Sequence, residues 1–113
     1  MDIQAIVTEW QTAARAASKD CADKYYDGKD GGACGFAWVS IYPEHKGNTK
    51  AGKAERALLK ELGFRPSYDR DFQRFNPGDW MGQSIDIKEA GAVAAANVLK
   101  KHGFRAYAAS RLD

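Results

Sequence analysis

Cys34-Gly35-Phe36-Ala37-Trp38-Val39-Ser40-Ile41-Tyr42 is the longest unbroken run of strand-forming residues in the chain. The turn-rich segment Asp27-Gly28-Lys29-Asp30-Gly31-Gly32 precedes it and Pro43 stops it. Aromatic and β-branched side chains fit a pleated, packed surface, so the run reads as a strand. Side chains alternate along a strand, which sets Ala37, Val39 and Ile41 on one face and Phe36, Trp38 and Tyr42 on the other. Neither face is strongly polar, and such a strand is expected at the centre of a sheet with cover on both sides. The expectation that follows is specific: the helix that comes before this strand seals the aromatic face, and Phe36 and Trp38 become core.

Residues 3 to 25 carry the periodicity of that helix. Ile3, Ile6, Val7, Trp10, Ala14, Ala17, Cys21 and Tyr25 recur at three- and four-residue steps, with Glu9, Gln11, Lys19, Asp20 and Asp23 opposite. Asp2 caps its start and Gly28 lies just past its end. Beyond the strand, Thr49 is an N-cap for a helix over 50–62 whose apolar face reads Ala51, Ala54, Leu58 and Leu62; Gly63 ends it. Residues 64–75 and 80–87 read as a hairpin across Asn76-Pro77-Gly78-Asp79, with Phe75 opposite Trp80 and with Ile85 and Ile87 sharing a face. An alanine-rich helix over 88–102, ended by Gly103, and a last strand over 104–111 complete the chain. Helix-Gly-Phe-Arg recurs at Gly63-Phe64-Arg65 and Gly103-Phe104-Arg105, a joint common enough to need no duplication. The order predicts one α+β domain over 1–113. An N-terminal helix (1–27) precedes a βαββαβ ferredoxin-like split (34–113) with a four-stranded, mainly antiparallel sheet.

The chain has 113 residues, enough for a core without metal or disulfide staples. Its 17 basic and 15 acidic side chains are interspersed, which argues against a generic polyanion or membrane-surface binder. No apolar run approaches the roughly 20 residues of a membrane span. Met1-Asp2-Ile3-Gln4 lacks the basic-then-apolar layout of a signal peptide. Two cysteines without such a signal suggest a reduced, cytoplasmic protein, a Cys21–Cys34 bridge being the lesser alternative.

Five groups of residues could carry function, and each also has a structural reading. Gly35-Phe36-Ala37-Trp38-Val39 resembles the core of the RNP1 signature of RRM domains, whose sheet aromatics stack on bases. Exposed Phe36, Trp38 and Tyr42 would make a platform for single-stranded nucleic acid. Cys34 stands where that signature has a basic residue, however, and the run lies on the first strand of the fold instead of the third. In the predicted hairpin, Tyr68, Arg70, Phe72 and Arg74 share a face closed by Trp80. Interleaved arginines and aromatics suit a protein interface, or else the charges guard a sheet edge. Cys34 with His45 or His102 would make a nucleophile pair, against a plain buried thiol. Cys21, Cys34, His45 and His102 contain no local metal-ligand spacing, and Asp27–Gly32 lacks the lysine and hydroxyl of a phosphate loop. Arg111 at the C-terminus could pair with Asp86 or Glu89.

Cys34-Gly35-Phe36-Ala37-Trp38-Val39, Lys88-Glu89-Ala90-Gly91-Ala92 and Ser110-Arg111-Leu112-Asp113 together resemble a family of small proteins encoded by tailed bacteriophages. The resemblance covers residues 34–113 in patches and implies no catalytic residue, cofactor or metal. It implies a phage protein made in the cytoplasm of a host bacterium. Accessory proteins of that kind act by binding and modulating a host protein, defence systems such as CRISPR included. The expected function is therefore non-enzymatic capture of a host protein through Tyr68, Arg70, Phe72, Arg74 and Trp80, by a monomer or homodimer. Single-stranded nucleic-acid binding through Phe36, Trp38 and Tyr42 is the alternative. A cysteine-dependent enzyme comes third.

Overall fold

The structure, a computed structural model, describes residues 1–113. Seven elements follow in order: α1 (Ile3–Tyr25), β1 (Gly35–Ile41), α2 (Lys50–Glu61), β2 (Arg65–Pro66), β3 (Phe72–Phe75), α3 (Ile85–Lys101) and β4 (Ala106–Leu112). The strands form one antiparallel sheet in the order β2-β3-β1-β4. This is the α+β, N-terminal-helix-plus-βαββαβ architecture that the element order implies, but the strand central beside β1 is 72–75, and the expected third strand over 80–87 does not form. No helix is long and apolar enough to cross a membrane.

Local chemistry accounts for the helix ends. Asp2 accepts from the Ala5 N–H at 3.1 Å, Thr49 from Gly52 at 3.0 Å, and Ser84 from Ile87 at 3.3 Å. The buried residues of α1 are Ile6, Trp10, Ala14, Ser18 and Ala22, a single row of four-residue steps that ends in small side chains. On α2 the buried face runs through Gly52 and Leu59, on to Leu62; Ala51 and Ala54 face solvent, a correction to the expected stripe. The reason lies in the preceding loop, which packs so tightly that a Cβ on Gly52 would stand 1.8 Å from the Lys46 carbonyl oxygen.

One apolar cluster joins all three helices to one face of the sheet. It gathers Ile6, Trp10 and Ala14 from α1, Leu59 from α2, and Ala92, Ala95, Ala96 and Leu99 from α3, against Ala37, Val39 and Ile41 of β1. The helix α1 is therefore on the same side as α3. Its small residues let the two backbones approach: a Cβ on Gly91 would fall 2.6 Å from Ser18 Oγ. Ser18 donates a hydrogen bond to the Ile87 carbonyl at 2.9 Å, and Glu9 ties the far end of α3 through Lys101 and through His102 at 2.8 Å. Trp10, almost wholly buried, packs edge-on to Phe64 and donates from Nε1 to the Leu62 carbonyl at 3.2 Å. The shortest axis of the molecule, 18 Å, has room for a sheet and one layer of helices. The expectation that α1 seals Phe36 and Trp38 is thus overturned, because α1 spends its apolar row on α3 and on the Phe64 side of the same core.

The predicted hairpin also takes another form. β2 pairs with β3, not with residues 80–87, through Arg65↔Gln73 and Pro66↔Phe72. Asn76-Pro77-Gly78-Asp79 does turn the chain, with positive φ at Asn76 and Asp79, but it leads into a loop and then α3. Ile85 and Ile87 belong to the first turn of α3, started by Ser84 with Asp86 beside it. The Pro-Gly turn is held on α1 instead. Arg15 bonds Asp79 at 2.6 Å, and Gly78 lies so near Ser18 and the Ala14 carbonyl that any side chain would clash. Phe75 consequently lies opposite Trp38, not Trp80.

Candidate nucleic-acid interface on the open sheet face

With every helix on one side, the other face of the sheet is uncovered. Residues directly opposite in antiparallel strands point the same way. The register sets Phe36 against Arg111, Trp38 against Ala109 and Phe75, and Ser40 against Tyr107 and Gln73. Gln73 in turn faces Arg65. The alternation that buries Ala37, Val39 and Ile41 therefore collects Phe36, Trp38, Phe75, Tyr107, Arg65 and Arg111 on one surface, with Tyr42 at its end.

These rings are partly or largely open. Phe36 is 37% exposed, Tyr42 39%, Tyr107 53% and Phe75 55%, with Trp38 half-buried between its neighbours. They form two pairs. Trp38 and Phe75 lie 5.4 Å apart and tilted, whereas Tyr42 and Tyr107 meet edge to face at 5.8 Å. Such contacts fix the orientation of the rings. Cations surround the rings: Arg111 stands 5.5 Å and Lys88 5.6 Å from the centre of Phe36, and Lys100 5.6 Å from Tyr107. Lys88 is itself nearly buried and donates to the Gly35 carbonyl at 3.1 Å, so its charge is fixed beside β1.

Asp71 is a buried acid bonded to Ser40 and Gln73 of this face. Burial works to raise the Asp71 carboxyl, but hydrogen bonds from Ser67, Ser40 and Gln73 outweigh it and hold its pKa below the ordinary value. Asp71 is therefore a charged anchor for the β2–β3 connection, its oxygens already engaged. No family model, curated protein or solved structure matches this chain.

The five residues expected to form a hairpin face do not come together. Phe72, 4% exposed, is part of the core opposite Pro66 and Ile41. Arg74 turns to the helical side, its guanidinium 5.7 Å from the Trp10 ring centre and 3.4 Å from Asp79. Trp80 donates from Nε1 to Asp30 at 2.7 Å. Only Tyr68 and Arg70 remain as neighbours on one exposed connection. The period-two reading fails because residues 67–71 turn instead of extending, with Arg70 at φ +66°.

Both cysteines are free, so the Cys21–Cys34 bridge is not formed. Burial, and then the nearby Asp86 charge, raise the Cys21 thiol. His102 bonds Glu9, while the Glu55 carboxylate accepts from the His45 backbone N–H at 2.9 Å. Arg111 lies over Phe36 and makes no ion pair with Asp86 or Glu89; Asp86 instead accepts from the Tyr26 hydroxyl. Sequence reasoning named Phe36, Trp38 and Tyr42 as a platform but missed Phe75, Tyr107, Arg65 and Lys88. Those four reach the site through strand register and helix packing, which local periodicity does not encode.

Proposed function

We propose that this protein binds single-stranded nucleic acid on its open sheet face. The observation that carries the reading is the uncovered aromatic surface, Phe36, Trp38, Phe75, Tyr107 and Tyr42, set among Arg111, Arg65 and Lys100. Bases offer π faces and phosphates offer negative charge. Rings held in a sheet supply stacking without losing much conformational freedom, and the surrounding cations supply attraction. Sequence preference is expected to be weak, because stacking accepts any base.

The test is titration of fluorescent single-stranded RNA and DNA oligonucleotides at low and high salt. Wild-type protein binds, and affinity falls as salt rises. Trp38→Ala and Tyr107→Ala each weaken binding by about 1–3 kcal/mol per lost stack, roughly 5- to 150-fold. Unchanged circular dichroism shows that the fold survives. Absence of binding by the wild type at low salt refutes the proposal.

A second reading, capture of a host protein by a phage protein, is favoured by the exposed pair Tyr68 and Arg70 on the β2–β3 connection. It expects a bacterial partner whose capture is lost on Tyr68→Ala/Arg70→Ala and is indifferent to Trp38→Ala. The two readings therefore separate on the same set of variants.

A further inference from the structure

We propose that a cationic groove around the β2 edge holds the phosphodiester backbone of the strand whose bases lie on the sheet. The proposal rests on the sheet-face reading and extends it to the path of the ligand.

Three clefts flank β2 and share Pro66. One is lined by Arg65, Gln73, Arg74 and Phe75, and so opens directly from the aromatic face. A second, on the helical side, is lined by Arg56, Lys60, Arg70, Asp71 and Phe72. The third is lined by Lys60, Phe64, Arg65 and Arg74. Five cations, from α2, β2, the β2–β3 connection and β3, thus line the clefts around a strand of two residues. Among them Lys60, Arg65 and Arg70 make no ion pair, and Arg56 donates only to the His45 and Gly52 carbonyls. Arg74 alone is matched by a carboxylate, Asp79.

Like charges at one edge repel, and a fold gains nothing from leaving them unpaired. A polyanion would relieve that cost. Asp71 is the acid in the groove. Its oxygens are occupied by Ser67 and Gln73, so it opposes a phosphate by charge without offering a competing pair to the arginines. β2 is an edge strand, and Pro66 has no N–H to present there, so the edge is a poor template for another strand. Backbone contact through side-chain cations suits it better. Arg65 is the hinge of the path, since its register with Gln73 keeps it on the open face while its neighbour Pro66 faces the helices. A strand stacked on Trp38 and Phe75 would run past Arg65 and place its next phosphates against Lys60, Arg70 and Arg56.

The experiment uses oligothymidylates of about four and about twelve nucleotides, lengths that span the usual site sizes for such surfaces. The variant is Lys60→Gln/Arg65→Gln/Arg70→Gln in the full chain; all three residues are exposed, so the fold is retained. Wild-type protein binds the longer oligomer with a steeper salt dependence than the shorter. The variant loses about 2 from the logarithmic salt slope with the longer oligomer, three contacts at about 0.7 each. Its affinity for the short oligomer changes less than that for the long. An unchanged slope and affinity for the longer oligomer, with binding retained, overturns the groove and leaves the sheet-face reading standing. Failure of wild-type protein to bind either oligomer removes both.

Discussion

Replacing Gly91 with alanine tests the feature from which the open sheet face follows, the docking of α1 on α3. In an ordinary exposed helix the change is stabilising by about 1 kcal/mol, because alanine restricts the unfolded chain and favours the helix. Here the new Cβ would stand 2.6 Å from Ser18 Oγ, 3.1 Å from the Gly78 Cα and 3.2 Å from the Ala14 carbonyl oxygen. Ser18 cannot step aside freely, since it is buried and bonded to the Ile87 carbonyl. Overpacking costs about 1–3 kcal/mol, and disturbing that hydrogen bond about 1 kcal/mol more. After the propensity gain, the net loss is about 1–3 kcal/mol, or roughly 4–12 °C in melting temperature at about 4 °C per kcal/mol. Thermal melts followed by circular dichroism read it. A combined Gly91→Ala/Ser18→Ala protein should lose less than the sum of the two single changes, because the closest contact is shared. If α1 lay over Phe36 and Trp38, Gly91 would lack these neighbours. Gly91→Ala would then melt at or above the wild-type temperature, and that outcome would refute the packing argument.

Two further predictions concern the loop before α3 and the thiols. Asp30 accepts from Trp80 Nε1 and from the Gln83 and Ser84 backbone, chiefly the first, which holds its carboxyl below the ordinary range. Asp30→Ala should therefore cost about 1–2 kcal/mol after allowing for solvent exposure, seen as a lower urea midpoint and a shifted tryptophan emission. A depressed folded-state pKa contributes stability that is present above the unfolded value and lost as pH falls through the folded one. Acid melts of Asp30→Ala should consequently be flatter than those of the wild type below the carboxylate range. An equally steep acid limb would count against the Asp30 bonds. Cys34 is exposed whereas Cys21 is half-buried with a raised pKa. Alkylation followed by mass spectrometry should modify Cys34 first, and simultaneous modification would contradict the burial of Cys21.

Local signals were legible in the residues. The four-residue row of Ile6, Trp10 and Ala14, the caps Asp2 and Thr49 and the apolar run 35–41 mark their elements in the sequence, because helix and strand periods and capping chemistry act over a few residues. The order of elements was enough to imply a four-stranded antiparallel sheet with β1 inside it, but the other central strand is 72–75, part of the expected second strand, and not 80–87. The strand pattern of residues 80–87 misled because Ser84 with Asp86 is a helix start as well as part of an alternating run. Ile85 and Ile87 follow the alanine-rich segment behind them into α3.

What the sequence determined by itself was the alternation that sets Phe36 and Trp38 apart from Ala37 and Val39, since strand geometry allows nothing else. Which of those two faces meets the helices was decided only in three dimensions. Ala14 and Ser18 fit against Gly78 and Gly91, and that long-range match draws α1 onto α3. Close backbone approach depends on which distant glycines arrive opposite which small side chains. The aromatic face stays open because α1 finds its partner elsewhere.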